Sequence, residues 1–69
     1  MGDPRLGSRL KELRNAAGLT QQGLADKASV SRKTINTVEN GVFVPSTVLA
    51  LELARALETT VEALFFLKD

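Results

Sequence analysis

The 69 residues contain no cysteine and no histidine. Without cysteine there is no disulfide to staple a small fold and no thiolate to hold a metal. Without histidine the commonest general base and the commonest metal ligand are both missing. Only Ser/Lys or carboxylate chemistry is left, and Asp26, Glu39, Glu52, Glu58 and Glu62 form no evident pair in a cleft. The sequence therefore predicts no enzyme, no catalytic residue, no metal site and no cofactor. Tryptophan and tyrosine are absent too, and the only aromatics are three Phe. No apolar run approaches the roughly 20 residues of a membrane span. No apolar signal core follows Met1-Gly2-Asp3-Pro4-Arg5, and Leu6 stands where a myristoylation signal has Ser or Thr. These absences predict a cytoplasmic domain with no membrane partner and no evident small-molecule ligand.

What is present is enough for one core. Hydrophobic residues make up 43% of the chain, which excludes disorder on composition and predicts a single domain over 1–69. A chain this short buries only about 60% of its unfolded surface, so a partner subunit would help it. The net charge of +1 hides an asymmetry. Residues 1–40 hold seven Lys/Arg against four Asp/Glu, and residues 41–69 hold two against four. A basic half and an acidic half fit a one-sided footprint on a polyanion.

Apolar spacing and caps predict five helices, about 5–17, 21–28, 32–40, 47–57 and 61–67, in an all-α compact bundle. Leu6, Leu10, Leu13 and Ala17 share one helical face, with Pro4 in the first turn and Gly18 at the stop. Thr20, Ser31, Ser46 and Thr60 are N-caps for the other four. Asn40-Gly41 ends the third helix with residues that tolerate positive φ. Val42-Phe43-Val44-Pro45 reads as an apolar connector, because Pro45 and its short length argue against a strand.

The informative stretch is Thr20 to Gly41: two short helices and a three-residue turn. A helix-turn-helix lays its first helix across the DNA backbone and its second in the major groove. Ala25 is small enough for a close crossing, and Val30 is the apolar plug of the turn. Ile35 and Val38 make a narrow apolar face. At 100° per residue Lys33, Asn36, Thr37 and Asn40 then point away from it, with Arg32 on the flank. Arg and Lys pair with guanine O6 and N7, Asn with adenine, and a Thr methyl with thymine. Gln21, at the start of the second helix, is placed for a phosphate.

Residues 5–67 resemble the phage-repressor helix-turn-helix, the Cro/C1 or XRE-like family, whose members have a lambda-repressor-like fold. The matching pieces include Leu10-Lys11-Glu12-Leu13-Arg14, Gly18-Leu19-Thr20-Gln21, Leu24-Ala25 and Val30-Ser31-Arg32-Lys33-Thr34-Ile35. Val38-Glu39-Asn40-Gly41, Pro45-Ser46 and Val61-Glu62-Ala63-Leu64-Phe65 follow in order. The resemblance implies a transcriptional repressor or regulator acting on double-stranded DNA. It implies that Gln21 touches phosphate or base, and that Ser31, Arg32, Lys33, Asn36 and Thr37 face the groove. It places Asn40 near the DNA backbone and makes Arg14 and Glu39 a structural ion pair. It also implies a homodimer on a pseudo-palindromic operator, held on the nucleoid when bound.

Several residues depart from the family pattern. Gly23 stands where Glu often completes a capping box, and Ser29 where the turn usually has Gly. Val42 and Val44 replace basic or polar residues that often meet phosphates, which lowers the expected salt dependence. In a helix over 61–67, Leu64-Phe65-Phe66-Leu67 could not all face one core. Phe65, Phe66 and Leu67 are therefore the expected dimer patch. An alternative is a protein-interaction module, as in an antitoxin-type helix-turn-helix, for which the Val42–Val44 segment and the Phe-rich end are the best support. The 69 residues leave no room for an effector-sensing domain.

Overall fold

A computed structural model describes residues 2–68; Met1 and Asp69, the ends of the expected domain, lie outside the described residues. The order of elements is β1 (Leu6–Ser8), α1 (Leu10–Ala16), α2 (Gln21–Ala28), α3 (Arg32–Glu39), α4 (Thr47–Ala56), α5 (Val61–Leu64) and β2 (Phe65–Leu67). Among the described residues five helices lie close to the expected places, but the fold is not purely helical. Its two ends pair as a small antiparallel sheet, with Leu6 opposite Leu67, Gly7 opposite Phe66 and Ser8 opposite Phe65.

This sheet corrects two boundaries. The first helix starts at Leu10 rather than near residue 5, so Leu6 belongs to a strand and not to the face of Leu10 and Leu13. The last helix ends at Leu64 after a single turn, and the backbone becomes extended at Phe65 (φ −131°, ψ 147°). The physical reason is the apolar run itself. A helix would splay its four large side chains around the axis, whereas a strand alternates them between two faces. Phe65 thereby enters the core, and Phe66 turns to the opposite face. Gly7 makes that possible: a Cβ there would lie 2.2 Å from the Phe66 ring, so the ring covers a residue with no side chain. Arg9 stacks over the same ring, its guanidinium carbon 4.1 Å from the centroid. Lys68 N–H donates to Arg5 O (2.6 Å) and Arg9 N–H to Leu64 O (2.7 Å), closing the ribbon at both ends. The turn before β1 is held by Asp3, whose carboxylate accepts from the Arg5 guanidinium and backbone N–H. Those bonds lower the Asp3 pKa to about 2.

The core is the set Leu10, Leu24, Ala25, Ala28, Ile35, Val38, Ala50, Leu53, Ala54, Leu64 and Phe65. Every element except β1 contributes to it, and Leu6 of β1 packs against its edge. The caps work as their residue types dictate. Thr20, Ser31, Ser46 and Thr60 each accept a hydrogen bond from the backbone N–H three residues on. Gly18 and Gly41 take positive φ (73° and 69°) after α1 and α3.

Ser29 also takes a left-handed conformation, φ 58° and ψ 43°, at the C-cap of α2. A residue with a Cβ costs about 1–2 kcal/mol there, and glycine gives part of that back as unfolded-state entropy. Ser29→Gly is accordingly expected to raise the unfolding free energy by about 0.5–1 kcal/mol. A urea midpoint at or below that of the parent would refute this.

Candidate nucleic-acid interface

Helices α2 and α3 are joined by Ser29-Val30-Ser31. Ala25, fully buried, lets them pack closely, and Val30 packs against the core from the turn. Ile35 and Val38 hold α3 down. The opposite face carries Arg32, Lys33 and Asn36, all exposed, around a shallow cleft of about 310 Å³. Ser31 sits at the N-cap, where its hydroxyl accepts from Thr34 N–H (3.1 Å) and lies 2.9 Å from Thr34 Oγ1. Thr37 is half-buried, and its hydroxyl donates back to Thr34 O (2.9 Å), so it offers its methyl group more readily than its oxygen. Asn40, exposed, donates through Nδ2 to Asn36 Oδ1 (3.2 Å).

Behind this face lies a charged pair in a dry place. Arg14 of α1 grips Glu39 at the end of α3 with two bonds, Nε to Oε2 at 2.6 Å and Nη2 to Oε1 at 3.3 Å. Its third nitrogen donates to Leu19 O at 2.8 Å. The Arg14 and Glu39 side chains are only 9% and 2% exposed. A bidentate guanidinium–carboxylate fork fixes direction as well as distance, so α3 is locked in angle against α1.

Gln21 is not left pointing at solvent. Its Nε2 donates to Glu39 Oε1 (3.1 Å) and to Asn36 Oδ1 (3.2 Å). Sequence reasoning missed this contact between the start of α2 and the middle of α3, because 15 residues separate the pair and only the crossing of the helices brings them together. The structure thus gathers Gln21, Asn36, Asn40 and the Arg14–Glu39 pair into one network. It sets Arg32 and Lys33 beside that network.

Phe65, Phe66 and Leu67 are far from equivalent. Phe65 is 9% exposed and belongs to the core, Phe66 is half-buried between Gly7 and Arg9, and Leu67 is 72% exposed. Phe65 forms part of an apolar groove of about 230 Å³, bordered also by Leu6, Val44, Pro45, Leu51 and Val61. Val48 and Leu51, outside the patch expected from the sequence, stand exposed one turn apart on α4. Their signal was present: in Thr47–Ala56, apolar residues fall on more than one face. No helix among the described residues is long and apolar enough to cross a membrane.

Comparison with known proteins agrees with this geometry. Residues 5–65 match the family described as "Helix-turn-helix domain". The uncharacterized HTH-type transcriptional regulator YgzD of Bacillus subtilis is 36% identical over 62 residues, spanning 90% of this chain and 94% of that protein. An uncharacterized HTH-type transcriptional regulator of Methanothermobacter thermautotrophicus is 41% identical over 61 residues, spanning 87% of this chain and 88% of its own. Among solved structures, the restriction-modification controller protein C.AhdI from Aeromonas hydrophila superposes with a TM-score of 0.75 at 41% identity, covering 78% of this chain and 82% of that one. The chain belongs to the helix-turn-helix domain family, in its Cro/C1 or XRE-like branch of DNA-binding transcription regulators.

Proposed function

We propose that the chain is a sequence-specific repressor that inserts α3 into the major groove and acts as a homodimer on a pseudo-palindromic operator. The observation that carries this reading is the division of labour on α3. Ile35 and Val38 are buried, while Arg32, Lys33 and Asn36 stand exposed on the other side. Arg32 and Lys33 occupy the first turn, where free N–H groups and the positive end of the helix dipole also favour phosphate. Thr37 adds a methyl for a thymine, and Ser31 and Asn40 border the groove at the two ends of the helix. Two such helices related by a two-fold axis would sit about 34 Å apart, one turn of DNA. The reading places the protein in the cytoplasm, on the nucleoid when bound.

The dimer reading is supported by the groove floored by Phe65. Leu6, which pairs with the exposed Leu67, borders that groove together with the exposed Val44 and Leu51, and Val48 is exposed one turn from Leu51 on α4. An isologous contact through that surface removes it from water twice over.

Selection of bound duplexes from a random pool tests the DNA reading. The wild type is expected to enrich one motif, and Lys33→Ala and Asn36→Ala each to lose preference at a base pair, costing about 1–3 kcal/mol there. If neither substitution alters the motif, α3 is not the reader. A small protein that co-purifies and is displaced by Val48→Lys, with no DNA retained, would instead favour the protein-interaction reading.

A further inference from the structure

The orientation of the amides on the reading face follows from the buried ion pair. The Glu39 oxygens only accept hydrogen bonds, so the Gln21 amide must turn its NH2 group toward them. That group has two protons, and the second goes to the neighbouring acceptor, Asn36 Oδ1. Asn40 Nδ2 donates to the same oxygen. Both lone pairs of Asn36 Oδ1 are then occupied. The Asn36 Nδ2 group has no hydrogen-bond partner among the described residues, and Asn36 lines the cleft together with Arg32 and Lys33.

An unconstrained asparagine reads adenine, accepting from N6 and donating to N7. Asn36 lacks the accepting half. Resting on the DNA-binding reading above, we propose that Asn36 is a donor-only reader that selects guanine, whose N7 and O6 are adjacent acceptors, over adenine. Gln21 and Asn40 are positioning residues: they act by occupying the Asn36 oxygen. Glu39 sets the direction of the Gln21 amide, so Arg14 and Glu39 determine which base the helix prefers without touching DNA.

The test uses selection from a random duplex pool with the wild type, Asn36→Ala, and the double variant Gln21→Met/Asn40→Ala. The double variant frees the Asn36 oxygen and keeps both Arg14–Glu39 bonds while Glu39 loses only the Gln21 donor, and its thermal midpoint checks that it is folded. One position should lose its preference in Asn36→Ala. At that position the wild type is expected to favour guanine over adenine on the order of tenfold, and the double variant to shift toward adenine. Adenine at that position in the wild type, guanine persisting in the double variant, or no position sensitive to Asn36→Ala overturns the proposal alone. Failure of the wild type to enrich any sequence overturns the DNA reading, and this one with it.

Discussion

Arg14→Ala is expected to lower the unfolding free energy by about 3–5 kcal/mol. The substitution removes three donors at once, two from Glu39 and one from Leu19 O. Glu39 would keep only Gln21 as a donor, with its side chain still buried. An uncompensated carboxylate in that position costs far more than an exposed pair, whose loss is worth about 0–1 kcal/mol. For a domain of this length the whole stability is about 3–10 kcal/mol, so the loss removes from about a third of it to all of it. The urea or thermal midpoint measures this, and an unchanged midpoint would refute it. The double variant Arg14→Met/Glu39→Leu should recover most of the loss, because apolar residues of similar size replace a buried pair at little cost. It should recover stability without specificity, since the Gln21 amide would no longer be directed by a carboxylate.

The second large effect concerns affinity. Val48→Lys/Leu51→Lys places two charges on the exposed face of α4 beside the groove. Both side chains are exposed in the single chain, so the monomer should fold as before. In a dimer they would be buried without partners, and association should fail. Sedimentation should then report a species of 7.4 kDa where the parent gives twice that. Binding to a two-half-site operator should fall about 10²–10⁴-fold, because the second half-site is no longer presented at millimolar effective concentration. Binding to a single half-site should be unchanged. An equal loss on half-site and full operator would point to damage of the reading face and not to dimerisation.

The middle of the chain was more legible in the sequence than its ends. Between Thr20 and Gly41, caps, apolar spacing and turn residues all report local events, and α2 and α3 begin where Thr20 and Ser31 predict. Ala25, Val30, Ile35 and Val38 have the burial their spacing implies. The ends were misread for a common reason. Leu6 fits a helical face with Leu10 and Leu13, and Leu64–Leu67 fits a short helix, when each is considered alone. Both segments are three-residue strands whose hydrogen bonds run to the other end of the chain. A strand that short has no period of its own to detect, and Gly7 has no pattern until Phe66 lies over it.

The same division holds in the interface. Residue types and helical phase determined by themselves that Arg32, Lys33 and Asn36 share the exposed face of α3, because that follows from 100° per residue and two buried anchors. Tertiary structure alone decided what those side chains offer. Asn40 reaches the Asn36 oxygen along α3 itself, but the second bond to that oxygen comes from Gln21 of α2, Gln21 is oriented by Glu39, and Glu39 is held by Arg14 from 25 residues away. The helix that reads is therefore written in local sequence. The sense in which its amide reads depends on hydrogen bonds that exist only once three helices have packed.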